Sequence, residues 1–143
     1  MVDQFKTQID DIKKRTSDIK KMFEKYDFNG DLFAKIFDRI PVFMFYKDCE
    51  NRIIKVNRFF CDVLNVEKED VEGKHMSEFT DDKIVVAKYA QNDIDIIESG
   101  QPKTGIIEPM YDMDRWFRTD KFPVFDKKGQ VIGVLGMSVE VVK

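Results

Sequence analysis

Between Pro41 and Lys74 the spacing of apolar residues admits few structures, because it encodes a hairpin that feeds a short helix. Val42 to Tyr46 reads as one strand and Ile53 to Val56 as its partner, with Asp48 and Asn51 bracketing the turn. Asn57 then stands where a helix needs a side-chain acceptor for its first free amides. Phe59, Phe60, Val63 and Leu64 follow on one helical face, and Gly73 closes the next turn.

On either side of this unit the pattern changes. Val2, Phe5, Ile9, Ile12, Thr16, Ile19, Phe23 and Tyr26 recur at alternating three- and four-residue steps, the seam of a coiled-coil-like helix. Asn29-Gly30 can end that helix, and Asp31 can cap a second one whose Leu32, Phe33, Ile36, Phe37 and Ile40 share a face up to Pro41. Domain boundaries are expected at 1–30 for the leading helix and 31–143 for the remainder. Downstream, Asp81 or Asp82 can cap a helix from about Lys83 to Glu98, ended by Ser99-Gly100 and Pro102. The rest reads as strands over about Thr104 to Tyr111, Trp116 to Phe125 and Gln130 to Val142. Two strands, then helices, then three strands suit a single antiparallel sheet with helices packed on one face. Val42 to Tyr46 and Val131 to Val139 are apolar on both faces, so the other face also needs a cover, from the Leu32 to Ile40 helix or a second subunit.

This series resembles the PAS domain family. Pro41, Asp48, Ile53, Asn57, Gly73 and Lys74 fill its proline, turn aspartate, second-strand isoleucine, helix-start asparagine and Gly-Lys places, with Asn51 where glycine is usual. Arg115-Trp116-Phe117, Pro123, Asp126, Gly129, Ile132-Gly133 and Gly136 resemble its last two strands. The resemblance covers residues 32 to 143 and implies an α+β fold, a PAS-like five-stranded antiparallel sheet preceded by N-terminal amphipathic helices. It also implies a sensory module in signal transduction, the input part of regulators such as histidine kinases, that works as a homodimer and relays its state through flanking helices to an output domain or partner protein. Glu140, Val141 and Val142 replace the Asp-Ile-Thr that usually follows the last strand in the family. The GAF fold, a related sensor, has a different strand and helix order.

The family encloses small ligands between sheet and helices, in mostly apolar sites with a few polar anchors. Met44, Tyr46, Phe60, Leu64, Tyr89, Trp116, Arg118 and Met137 are the candidates here for ligand binding, and an inward Arg118 would favour a carboxylate. The alternative reading is a ligand-free dimerisation module in which these residues are packed core. Family members that bind haem carry a histidine on the long helix, and those that react with flavin carry an Asn-Cys-Arg motif. Here the single histidine is His75, in a loop, and neither Cys49 nor Cys61 has that context, so no haem or flavin cofactor is expected. Cys61 reads as a small core residue, and Asp27 to Asp31 lacks the glycine and glutamate places of a calcium loop.

Catalysis finds little to stand on. The acidic pairs Asp81/Asp82, Asp93/Asp95 and Asp112/Asp114 read as caps, an exposed helix face and turns, and no metal set, phosphate-cradling loop or nucleophile elbow occurs. A net charge of −3 offers no footprint for nucleic acid. The longest apolar run, Val131 to Met137, has seven residues and two glycines, far too short to span a membrane. Two cysteines make no disulfide framework, and the first residues lack the apolar core of a signal peptide, which suits the cytoplasm. The charges beside the leading seam oppose self-pairing: Lys6, Lys13 and Lys20 hold the e positions and Gln8, Arg15 and Met22 the g positions. That seam is therefore expected to add little to a dimer by itself.

Overall fold

The computed structural model describes residues 2–26, 30–78, 83–109 and 114–141, without the side chains of 22–26. Two compact units divide the chain, Met1–Phe37 and Asp38–Lys143, a division later than the one expected after residue 30. The first holds helix α1 (Val2–Tyr26) and the short helix α2 (Asp31–Phe37). Val2, Phe5, Ile9, Ile12 and Ile19 of the α1 seam are all exposed. In α2 only Phe37 is buried, while Phe33, stacked on it at 5.3 Å, is 59% exposed and Ile36 is exposed too. The apolar face expected along this helix is thus mostly open, and the helix ends before Ile40 because Pro41 follows.

The second unit is a five-stranded antiparallel sheet in the order β2-β1-β5-β4-β3, with β1 at Phe43–Asp48, β2 at Ile53–Val56, β3 at Lys103–Pro109, β4 at Trp116–Phe125 and β5 at Val131–Val141. Between β2 and β3 come α3 (Arg58–Leu64), α4 (Lys68–Val71), a 3-10 turn (Met76–Glu78) and α5 (Lys83–Ser99). α3 packs on β1, α4 on β2, and α5 on β4 and β5. The caps expected from Asp81 or Asp82 lie outside the described residues.

The β1–β2 and β4–β5 turns use one device. Asp48 Oδ1 accepts from the Glu50 and Arg52 amides at 2.9 and 3.0 Å, and Asp126 Oδ1 accepts from Lys128 and Gln130 at 2.8 and 3.0 Å. An aspartate that bonds its own backbone two and four residues on closes the turn without a partner strand. Asn51 has φ 65°, a left-handed conformation that asparagine tolerates better than most residues, which explains asparagine where the family has glycine.

Asn57 does more than cap α3. Its Oδ1 accepts from the Phe60 amide at 3.0 Å, as expected of a cap, and also from the Met44 amide at 3.2 Å. Its Nδ2 donates to the Ile40 and Val42 carbonyls at 3.1 and 2.7 Å. A fully buried side chain thereby ties the start of β1 to the start of α3 with its whole hydrogen-bonding capacity.

A second polar anchor holds α5 to the sheet. Asp93, read from the sequence as part of an exposed helix face, is buried at 3% exposure. Its Oδ2 takes Lys47 Nζ of β1 at 3.0 Å and its Oδ1 takes Lys121 Nζ of β4 at 2.9 Å. Asp95, two residues on, does face outward and pairs with Lys103 at 2.6 Å. Desolvation pushes the Lys47 pKa below the ordinary lysine value, with Asp93 pulling the other way and Lys121 adding to the depression.

Two outcomes follow for stability, both measurable by urea denaturation. Asn57→Asp keeps an acceptor for the cap but sets a carboxylate against two carbonyls; it should cost about 2 kcal/mol or more, where a simple cap would tolerate it. Asp93→Asn leaves two buried ammonium groups with Glu108 as their remaining buried carboxylate and should cost about 3–5 kcal/mol near neutral pH. Between the depressed folded pKa of Lys47 and the ordinary lysine range, the unfolded chain holds the extra proton, so stability rises with pH there. Asp93→Asn extends that window downward, so its deficit should shrink steadily toward about pH 10.

Candidate functional site

Strand alternation gives the sheet two unlike faces. On the helix-covered face the register aligns Phe43 with Ser138 and Thr119, and Phe45 with Gly136 and Lys121. Gly136 is required here, since a Cβ on it would run into the Phe45 ring. The ring lies across β5 as a floor, with the Lys47 and Lys121 ammonium groups over it at 5.4 and 6.0 Å from its centroid. Lys121 also stands 5.7 Å from the Tyr89 ring of α5.

Above this floor lies a cavity of about 50 Å³, walled chiefly by Phe43, Phe45, Phe60, Phe117, Tyr89 and Glu108. Leu64, Met76, Lys47, Lys121, Thr119 and Ser138 also line it, with Ile53 and Pro109. Phe43 and Phe60 are in contact at a centroid distance of 4.2 Å, while Phe117 stands 6.2 Å from Phe43. Aromatic rings are stiff and cannot collapse into every gap between them. A single water needs about 10–15 Å³ on this measure, so the space suits a molecule of a few non-hydrogen atoms.

Polar groups are spread along the lining, from Lys47 on β1 to Glu108 on β3. Thr119 Oγ1 and Ser138 Oγ share a hydrogen bond of 2.8 Å. Tyr89 donates its hydroxyl to the Pro109 carbonyl at 3.1 Å, which fixes the ring as a wall. Glu108 is buried at 7% exposure. A bulge in β3 aims it there: the register jumps between Lys103 and Ile106, Gly105 adopts φ 69°, and the Gly105 amide bonds Asp120 Oδ1 at 2.7 Å. Because of the extra residue, Lys103, Ile106 and Glu108 share the inner face. Burial raises the Glu108 pKa, opposed by Lys121, by a hydrogen bond from Thr119, and by Lys88 and Lys47.

Of the residues expected to line a pocket, Phe60, Leu64 and Tyr89 do so. The other five lie on the opposite face of the sheet. Met44 pairs with Met137, which pairs in turn with Asp120, Tyr46 bonds the Ile132 carbonyl at 3.1 Å, Trp116 pairs with Val141, and Arg118 reaches Asp120 at 3.3 Å. Arg118 therefore offers the cavity no cation; Lys47 and Lys121 take that place. The sequence reading missed both lysines, Glu108, Thr119 and Ser138. One signal was available: Asp93 falls on the same helical face as Tyr89 and Ile96, an acid within an apolar stripe.

Cys61, on α3, is buried as expected, and its thiol pKa is raised chiefly by that burial. His75 sits in a loop with Nδ1 2.9 Å from Ser77 Oγ. Among the described residues no cluster of His, Cys, Asp and Glu could hold a metal ion, and no helix is long and apolar enough to cross a membrane.

No curated protein matches this chain. Solved structures do. The PAS domain of Bordetella pertussis BvgS has a TM-score of 0.67 at 16% identity, over 79% of this chain and 86% of that one. VqmA bound to DPO has a TM-score of 0.65 at 21% identity over 76% of this chain, which spans only 56% of VqmA. A sensory box sensor histidine kinase from Vibrio cholerae has a TM-score of 0.59 at 16% identity, covering 78% and 90%. At these identities the likeness is one of fold. The profile of the PAS fold family matches residues 37–142, most of the chain and nearly all of the sheet-bearing unit, and with it the chain belongs to the PAS family, whose members are sensory domains of signalling proteins.

Proposed function

We propose that this chain is a non-catalytic sensory module whose cavity binds a small molecule in the cytoplasm and whose flanking helices pass that state to an output domain or partner. PAS domains are typically non-catalytic and occur also in histidine kinases. The cavity itself carries the reading. The sheet-bearing unit holds eight of the chain's 13 phenylalanines, ample material to fill its centre, yet space remains, walled by rings and lined with polar groups. VqmA, similar in fold, is bound to DPO in its structure. A space of about 50 Å³ and the absence of a histidine from Lys83 to Ser99 argue for a compact colourless ligand over haem or flavin.

A second reading, a ligand-free dimerisation module, draws on the exposed apolar residues. They form the seam of α1 and, at one end of the outer sheet face, Ile107, Trp116, Val139 and Val141. The outer sheet face and α2, with fewer like charges than the α1 seam, are the better candidates for a homodimer contact. No nucleic-acid partner is proposed at a net charge of −3.

Native mass spectrometry of purified protein should show an adduct of low mass, or one should form on addition of a stabilising compound from a thermal-shift screen of small metabolites. The protein should be free of visible absorbance. Near-stoichiometric haem or flavin would refute the cofactor reading, and a domain that no small molecule stabilises would favour the dimerisation module. Removing residues 1–28 should leave the sedimentation coefficient that of a dimer, corrected for mass. A folded, purely monomeric product would instead make α1 the dimer interface.

A further inference from the structure

Glu108 is the one cavity residue whose bonding is incomplete. It is more than nine-tenths buried, and its Oε2 has no hydrogen-bond partner among the described residues. Buried acceptors are nearly always satisfied, and a charged one left bare is costly. The nearest donors have spare N–H and O–H groups but are aimed elsewhere, since Lys47 and Lys121 each give one to Asp93, Thr119 and Ser138 share one bond, and none reaches Oε2. The cavity wall thus lacks a donor at one defined atom.

The buried charges add a second constraint. Lys47 and Lys121 bring two cations, while Asp93 and Glu108 bring two carboxylates, so the buried set is balanced when all four are ionised. A ligand with a net charge would upset that balance where water cannot screen it.

Resting on the ligand-binding reading above, we propose that the cavity selects a small molecule of zero net charge that donates an N–H or O–H to Glu108 Oε2. The remainder of such a molecule, a few non-hydrogen atoms, packs between the Phe43, Phe60 and Phe117 rings. Amides and alcohols fit this description; carboxylates and ketones do not.

Three probes of matched shape separate the classes: acetamide, a neutral donor; acetone, a neutral molecule without one; and acetate, an anion. Titrated at millimolar concentration into 15N-labelled protein, acetamide should shift the amide resonances of Phe43, Thr119 and Ser138. It should bind about tenfold more tightly than acetone, the value of one hydrogen bond to a charged acceptor, with acetate weakest. In Glu108→Met the advantage of acetamide over acetone should vanish while acetone still binds. Acetone equal to acetamide in the wild-type protein, or acetate the tightest of the three, would overturn the ligand class and leave a ligand-binding cavity standing. If none of the three moves cavity resonances, the ligand-binding reading itself falls. The wild-type order decides the matter even should Glu108→Met fail to fold.

Discussion

Asp93 between Lys47 and Lys121 is the contact on which the domain's interior depends. It joins a helix to two strands that are not neighbours, since β5 runs between β1 and β4. An apolar residue at the same place would pack without directing anything. A carboxylate with two oxygens and two ammonium partners fixes both the rotation of α5 and its height over the sheet. Such a group is seldom a net gain in stability over well-packed hydrocarbon, so its presence argues for a function that needs charge held there.

The cavity adjoins this contact. The lysines that hold Asp93 are also part of the cavity wall, and they lie over the Phe45 ring that forms its floor. A change in the wall's charge or hydrogen bonding therefore acts on the same ammonium groups that orient α5. The side chains that line the cavity on this side and those that position α5 are the same two lysines.

Much of the fold was legible because local chemistry and tertiary structure agree. Asp48, Asn51 and Asn57 announce a turn and a cap, and the structure uses each of them so. The site was less legible, for two physical reasons. β1 is apolar on both faces, so period-two alternation carries no sign of which face looks inward, and Met44 and Tyr46 were as good a choice as Phe43 and Phe45. Lysines and glutamates also read as solvated surface until their partners are known, and the partners of Lys47 and Lys121 lie 46 and 28 positions away. Only the helical spacing of Asp93 with Tyr89 and Ile96 hinted that a charge was going inside.

The bulge at Gly105 has an implication for how readily such a cavity can change character. β3 is an edge strand, bonded on one side only, and one surplus residue decides which of its side chains look inward. With the same residues paired in even alternation from Lys103, Glu108 would turn to solvent and Ile107 would take its place. A wet wall would become a dry one with no amino acid replaced. In this architecture the polarity of the chamber is written in strand register as much as in composition, and the edge is where that register is least constrained.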